Sequence, residues 1–92
     1  MKCDFCTSDN PIKVYITEPF DVLTPIVHFI DDGEWAACDE CSELIDTGLK
    51  EALVWRALFE NRVGSVQRAT MMLHLDVIYT QFFDGLKGQR PI

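Results

Sequence analysis

A small α+β fold is predicted by three features of this 92-residue sequence. Two Cys-x-x-Cys pairs, Cys3/Cys6 and Cys38/Cys41, have the spacing that gathers four thiols around one metal ion. Short segments of β-branched and aromatic residues between the pairs predict strands. Two longer apolar segments with helical spacing follow the second pair. The expected architecture is a compact metal-binding module followed by a C-terminal helix.

The segment between the two cysteine pairs is predicted to contain three strands. Residues 12–16 alternate in the manner of a half-buried strand, and residues 17–25 carry two prolines, which predicts a loop. Residues 26–30 predict a second strand, and the Asp-Asp-Gly sequence at 31–33 predicts a tight hairpin turn. Residues 34–37 are then expected to return as the partner strand and to lead directly into the second cysteine pair.

The second half of the chain is predicted to be helical. A helix is expected to open at the second cysteine pair, where acidic residues occupy its first turn, and to end or kink at Gly48. The helical pattern resumes at Leu49 and stops near residues 61–64. A last helix is predicted from about Ser65 to near Gly85, and the polar tail after it is expected to fray.

A knuckle, a β-hairpin and a second knuckle that opens a helix are the parts of a treble-clef zinc finger. The expected ligands are Cys3, Cys6, Cys38 and Cys41, and the expected ion is one structural Zn²⁺. Iron is the main competing metal. A pair of redox-active disulfides is the other alternative, although no thioredoxin-like βαβ pattern surrounds either motif. Residues 1–61 are predicted to form the zinc module and residues 62–92 the C-terminal helix, within a single compact domain.

The sequence predicts a protein that is not an enzyme. Four thiolates leave no open coordination position for a water molecule, and no Ser/His/Asp, Cys/His or Gly-rich phosphate signature occurs. Asp31, Asp32 and Glu34 have the chemistry of a cation site, but turn formation explains them more simply. His28 is expected to be a packing or surface strand residue. Trp35 is expected to pack over the metal site.

The charge of the chain disfavours nucleic acid as a partner. Eight Lys and Arg residues stand against 15 Asp and Glu residues, which gives a formal net charge of −7. Four thiolates around one divalent ion would take the loaded protein to about −9. Such a body repels phosphate backbones and better suits a basic protein partner. No segment is long enough to span a membrane and no signal peptide is apparent, so a cytoplasmic location with reduced thiols is expected.

The last helix is apolar on more than one side, which is unusual for a helix packed on one face of a small domain. One flank is formed by Val66, Ala69, Leu73 and Val77. Either the helix is sandwiched between the zinc module and the preceding helix, or its second apolar side is an interface with a second copy or another protein. The interface is the favoured interpretation. The residues assigned to it are Met71, Met72, Leu75, Ile78, Tyr79, Phe82, Phe83 and Leu86.

Two sequence motifs carry a resemblance. The run Cys3-Asp4-Phe5-Cys6-Thr7-Ser8 and the run Trp35-Ala36-Ala37-Cys38-Asp39-Glu40-Cys41, with the leucine-containing helix after it, resemble a group of small bacterial and phage proteins with CDFC and WAACxxC motifs. The resemblance covers roughly residues 1–60. It implies a tetracysteine zinc module and no particular activity.

The predicted function is therefore that of a zinc-stapled protein that binds another protein or forms a homodimer. A regulatory or accessory factor of phage or bacterial type fits the size and acidity. The alternative is a nucleic-acid-binding or transcription-associated zinc finger. A modest basic patch in the second half of the chain would support it, formed from Arg56, Arg62, Arg68, Lys87 and Arg90.

Overall fold

The computed structural model of the chain describes residues 1–23 and 28–92. The elements in chain order are β1 (Pro11–Thr17), β2 (Asp21–Leu23), β3 (His28–Ile30), β4 (Glu34–Cys38), α1 (Asp39–Asp46), α2 (Lys50–Glu60), α3 (Ser65–Asp84) and β5 (Leu86–Pro91). Two small sheets and three helices make an α+β fold. The predicted fold class is confirmed at this level. Among the described residues, no helix has both the length and the apolar composition that crossing a bilayer requires.

The larger sheet is antiparallel and has the strand order β4-β1-β5. Its register places Pro11 opposite Cys38 and Tyr15 opposite Trp35, so the start of β1 lies beside the end of β4, where the second cysteine pair begins. The predicted hairpin between residues 26–30 and 34–37 is wrong. β4 pairs with β1, whereas β3 pairs with β2 in a separate two-stranded sheet. Residues 26 and 27 of the predicted strand lie outside the described residues.

The turn at Gly33 explains why β3 and β4 do not form a hairpin. Gly33 has a φ of +90°, and its carbonyl oxygen accepts a hydrogen bond from the Thr17 backbone N–H at 2.9 Å. A Cβ atom at this position would lie 2.7 Å from the Thr17 carbonyl oxygen. The glycine therefore lets the chain pass against the end of β1, which starts β4 along β1 rather than along β3.

Two further predictions are corrected by strand pairing. The predicted loop at residues 17–25 contains β2, and the tail that was expected to fray forms β5 along β1. β5 has mostly polar side chains and so lacks the apolar alternation that predicts a strand, but ion pairs hold it in place. Lys87 lies 2.9 Å from Glu18, and Arg90 lies 2.9 Å from Glu34. Backbone pairing with a central strand thus orders a segment of weak intrinsic preference.

The helices agree with the predictions. α1 ends before Gly48, which has a φ of +72° and donates its N–H to the Ile45 carbonyl at 3.0 Å. This left-handed conformation is the common way to end a helix at glycine. α2 and α3 also begin and end within a residue or two of the expected positions.

The core is one cluster of buried side chains that includes residues from both halves of the chain. The Phe5 ring, between the first two cysteines, stacks on Trp35 with a centroid distance of 5.1 Å. Phe82 of α3 is fully buried and contacts both rings, at 5.3 Å from Phe5 and 5.2 Å from Trp35. Tyr79 completes the group beside Phe5 at 5.4 Å. The last helix is therefore part of the same core as the first knuckle.

The inward side of α3 is the side that was predicted to be an interface, and that prediction is corrected. Ile78, Tyr79 and Phe82 are buried in the core. The other residues assigned to the interface are half-buried and pack against the same core; they are Met71, Met72, Leu75, Phe83 and Leu86. The opposite flank is the exposed one, where Val66 is 94%, Leu73 is 70% and Val77 is 45% accessible. α3 has the two apolar sides that the sequence predicts, but the apolar pattern does not determine which side faces the core.

A buried tyrosine connects the large sheet to α1. The Tyr15 hydroxyl donates to Asp46 Oδ1 at 2.7 Å and lies 2.8 Å from Ser42 Oγ. Lys13 reaches the other Asp46 oxygen at 3.1 Å. Burial raises the pKa of Tyr15 to about 12, helped by the Asp46 carboxylate and opposed by the hydrogen bond to Ser42. The neutral phenol is thus the form that the folded protein favours.

Replacing Tyr15 with phenylalanine tests this connection through pH. At pH 7 the variant is expected to lose about 1–3 kcal/mol of unfolding free energy, because Asp46 and Ser42 lose a buried partner. Because the pKa of Tyr15 is raised in the folded protein, its neutral hydroxyl contributes stability at pH values below the ordinary tyrosine pKa of about 10. This contribution is lost as the pH rises through about 12. The gap between wild type and variant should therefore narrow from pH 10 to 12 in denaturant titrations. Parallel curves across that range would contradict the assignment.

Candidate metal centre

Three local structures bring the four cysteine side chains together. Cys3 and Cys6 lie on the first knuckle, Cys38 ends β4, and Cys41 lies in the first turn of α1. The four sulfur atoms all lie within 4.8 Å of one another, and every one of these residues is buried. Cys6 Sγ and Cys38 Sγ are 3.6 Å apart. A tetrahedral ion with metal–sulfur bonds of about 2.3 Å needs sulfurs about 3.8 Å apart, so the donor set fits such an ion with small adjustments.

The first knuckle is held by its own backbone and by β4. The Cys3 N–H donates to the Ser8 carbonyl at 2.8 Å, and the Thr7 N–H donates to the Cys3 carbonyl at 3.0 Å. Asp4 then bonds twice to Ala36: its N–H donates to the Ala36 carbonyl at 2.8 Å, and its carboxylate accepts from the Ala36 N–H at 2.7 Å. Since Ala36 lies two residues before Cys38, these bonds fix one cysteine pair relative to the other.

The start of α1 supplies a favourable field for thiolates. Cys38 is the N-cap residue, with no side-chain capping hydrogen bond, and Cys41 follows three residues later. The first N–H groups of a helix carry partial positive charge, which stabilises a nearby anion. The positive end of the helix therefore lies against the sulfur cluster.

Without a bound cation, the pKa values of three of the four cysteines shift in opposite directions. A hydrogen bond with Cys41 lowers the pKa of Cys3 to about 4, against the opposing effect of burial. The same hydrogen bond, with burial, raises the pKa of Cys41, and burial is the main cause that raises the pKa of Cys6. One thiolate is thus readily formed, and further ones are resisted. A bound cation would offset the raised pKa values of Cys6 and Cys41, because it favours the deprotonated form of each sulfur that it binds.

Arg56 of α2 contacts three of the four sulfurs. Its Nε lies 3.3 Å from Cys41 Sγ, and one terminal nitrogen lies 3.8 Å from Cys6 Sγ and 4.0 Å from Cys38 Sγ. Glu40 and Glu60 pair with the same guanidinium. Burial alone would lower the pKa of Arg56, but the bonds to Cys41 and Cys38 outweigh it and raise the pKa above its usual value. A permanent positive charge therefore lies against the sulfur cluster.

The sequence did not single out this role for Arg56. The residue follows Cys41 by fifteen positions and has no motif of its own. The sequence pattern that could have indicated the role is the position of Arg56 between apolar residues on the inward side of an amphipathic helix. An arginine that is partly buried there needs an anionic partner. Asn61, at the end of the same helix, was also missed. Its side-chain amide donates to the Phe5 carbonyl at 3.1 Å and so connects α2 to the first knuckle.

Replacing Arg56 with methionine is expected to weaken metal binding by about 10–100-fold while leaving the four ligands in place. Methionine keeps much of the side-chain volume but removes the N–H donors that orient and neutralise the sulfurs. Competition with a chromophoric chelator measures the dissociation constant. Arg90→Met is the matched control, because Arg90 pairs with Glu34 on the sheet. Equal affinities for the wild type and the Arg56 variant would refute the role.

The acidic residues near the second knuckle have structural roles. Asp31 accepts a hydrogen bond from Thr17 Oγ1 at 3.2 Å, and Asp32 Oδ1 accepts the Glu34 N–H at 3.0 Å. Together with Asp4 they line an open cavity of about 440 Å³ beside Trp35. The hydrogen bonds support the turn interpretation of this cluster. His28 is exposed on β3 and lies outside the group of sulfur ligands.

No family model matches the chain, and comparisons with curated proteins and with solved structures gave no match either. The chemistry of the centre therefore follows from its own donors. Four buried sulfurs close the coordination shell of a tetrahedral ion, so such an ion has no position left for a substrate or a water molecule. An arrangement of this kind holds segments of chain together.

Proposed function

We propose that the chain is a non-enzymatic protein-binding module with one structural Zn²⁺ held by Cys3, Cys6, Cys38 and Cys41 in a treble-clef-like arrangement. The observation that carries the metal proposal is the clustering of four buried sulfurs within 4.8 Å. Soft sulfur donors in a tetrahedral set suit zinc or iron. Zinc is the better fit to a purely structural task, because it has no redox chemistry and accepts this geometry without strain.

Metal analysis tests this part of the proposal. Inductively coupled plasma mass spectrometry of protein purified under reducing conditions is expected to find one zinc ion per chain. Replacement by Co²⁺ should give the intense visible absorption of a tetrahedral thiolate site, and Cys41→Ser should change that spectrum. A metal content near zero, or iron at one equivalent, would refute the zinc assignment.

The protein-binding proposal depends on an exposed apolar surface on the α2–α3 pair. We call it the hairpin face and define it by Trp55, Phe59, Val66, Leu73 and Val77. Their accessible fractions range from 42% for Trp55 to 94% for Val66. A groove of about 300 Å³ runs beside them, between Trp55 of α2 and Leu73 of α3. Several exposed apolar side chains on one pair of helices in a small domain are typical of a protein interface.

The ion pairs of the basic side chains argue against a nucleic-acid surface. Six of the eight Lys and Arg residues lie within ion-pair distance of a carboxylate. Arg62 and Arg68 are the two that form no ion pair within residues 1–23 and 28–92. A phosphate backbone would have to displace carboxylates from the others, against the net negative charge. Protein is therefore the favoured partner class over nucleic acid.

Cross-linking in the cells that produce the protein tests the binding surface. The tagged wild-type chain is expected to enrich a protein, either a different one or an untagged copy, that the Leu73→Asp variant fails to enrich. Ile30→Asp is the matched control, since Ile30 is 68% exposed on β3 and Leu73 is 70% exposed on α3. Identical enrichment by all three chains would show that the hairpin face binds no protein.

A further inference from the structure

We infer that the hairpin face binds the hairpin face of a second copy of the chain across a two-fold axis. This inference rests on the proposed function only in taking the face to be a protein-binding surface, and it names the occupant. Four observations carry it: the antiparallel helices, the charges at the two ends of the face, the distribution of charge over the molecule, and the stacked aromatic pair.

The contacts between α2 and α3 show that the two helices run antiparallel. Lys50, at the start of α2, lies 2.9 Å from Asp76 and 3.0 Å from Thr80 in the second half of α3. Near the end of α2, the Phe59 ring lies 5.5 Å beneath the guanidinium carbon of Arg68, in the first turn of α3. The face therefore has a loop end, near residues 59–68, and an open end, near residues 50 and 76–80.

The two ends carry opposite charges that form no ion pair within the described residues. Arg62 and Arg68 lie at the loop end, and neither forms an ion pair there. Glu51 lies at the open end, lines the groove and also forms no ion pair within the described part of the chain. A two-fold axis that lies in the interface, perpendicular to the two helices, would set the loop end of one copy against the open end of the other. Each dimer would then gain the same attraction twice.

The charge distribution favours a second copy over a basic partner at this face. Residues 1–46 carry eleven carboxylates and two lysines, whereas residues 47–92 carry four carboxylates and six basic side chains. The negative charge of the molecule thus belongs to the first half. Two copies that meet through their helices keep these acidic halves apart, while a basic partner would be attracted to the acidic half instead.

A pre-packed aromatic pair on α2 reaches from the middle of the face towards its loop end. The Trp55 and Phe59 rings stack with centroids 5.8 Å apart and an interplanar angle of 26°. Rings that are already ordered in the free chain lose little conformational freedom on binding, and tryptophan is the residue most enriched among energetically dominant interface residues. Leu73 borders the same groove on α3. An apolar centre between two charged ends is the usual layout of a specific interface.

Sedimentation of the zinc-loaded protein tests the inference directly. The wild type is expected to be a dimer at about 50 µM, a concentration well above a micromolar dissociation constant. Leu73→Asp should be monomeric, while Ile30→Asp should remain dimeric. Circular dichroism melting of each variant checks that it is folded, so a monomer that melts like wild type reflects loss of the interface alone.

Charge reversal tests the two-fold arrangement. Arg68→Glu and Glu51→Arg are each expected to raise the dimer dissociation constant about tenfold, because each breaks two identical contacts per dimer. The double variant restores opposite charges across the axis and should recover most of the affinity. Single variants without effect, or a double variant weaker than both, would overturn the arrangement.

The outcomes separate this inference from the proposed function. A wild-type chain that is monomeric at about 50 µM overturns the second-copy assignment, even if Leu73→Asp still abolishes binding of a different protein; in that case the hairpin face remains a protein-binding surface. A dimer that Leu73→Asp leaves intact also overturns the inference, because the copies would then meet through another surface. A protein that dimerises fully but contains no zinc would refute the metal proposal and leave the dimer inference standing.

Discussion

Replacing Cys38 with serine is expected to abolish stoichiometric metal binding and to unfold the first half of the chain. Cys38 joins β4 to α1, and its sulfur lies 3.6 Å from that of Cys6 on the first knuckle. Structural zinc contributes about 10–16 kcal/mol of apparent binding free energy in small fingers, which is as large as the roughly 5–15 kcal/mol by which most domains are stable. Elemental analysis and thermal melting by circular dichroism measure the two effects.

Ala37→Ser is the matched control for this prediction. Ala37 is fully buried beside Cys38, so its substitution also buries a new hydroxyl but leaves all four sulfurs in place. It should lower the melting temperature by a few degrees and retain one metal ion per chain. A Cys38→Ser protein that melts like the wild type would show that no metal holds these segments together.

Truncating Phe82 to alanine is expected to lower the free energy of unfolding by about 3–5 kcal/mol. Phe82 has no solvent exposure, and its ring contacts Phe5, Tyr15 and Trp35. The cavity would open between α3, the first knuckle and the large sheet, where none of the surrounding rings is free to fill it. Urea denaturation of the zinc-loaded protein measures the loss, and it should be one cooperative transition if α3 and the knuckle share a core.

Phe59→Ala provides the comparison for the core. Phe59 is 63% exposed, so its removal should cost less than about 1 kcal/mol, even though the ring also stacks on Trp55. Equal destabilisation by the two substitutions would mean that α3 does not depend on Phe82 for its attachment. Because Phe59 belongs to the hairpin face, the same variant should weaken self-association while the monomer stays folded.

The helices and the cysteine cluster were predictable because their signals are local. Spacing within each Cys-x-x-Cys pair and the apolar periodicity of α2 and α3 depend only on neighbouring residues. Gly48 and Gly85 marked helix ends for the same reason, since a helix end depends on the residues around it. These elements occur where the sequence predicted them.

The strand partners were not predictable because they depend on distant parts of the chain. The Asp31–Gly33 sequence favoured a hairpin between its flanking strands, yet β1 was already available as a longer partner for β4. β5 has mostly polar, exposed side chains, and its pairing with β1 arises from the position that α3 gives it. Pattern arguments supply candidate strands, but tertiary structure selects which of them pair.

The cluster of four cysteines was predictable, whereas the arginine that lies against it was not. Cys-x-x-Cys is a local motif, but Arg56 reaches the sulfurs only because α2 folds back over the start of α1. The orientation of α3 was also ambiguous, since both of its flanks are apolar and composition does not say which one meets the aromatic core. In each case the missing information was how a helix is placed against a distant part of the chain.

The close approach of Gly33 to the end of β1 limits how this sequence can diverge. Its positive φ and the closeness of the Thr17 carbonyl oxygen leave no room for a side chain of any kind. Exposed positions around it, such as Asp32, face no such restriction. Homologues in which the chain passes this close to the end of β1 should therefore retain glycine here, even where the other turn residues have changed. An aligned glycine between the two cysteine pairs is thus a useful criterion for identifying distant members of the lineage.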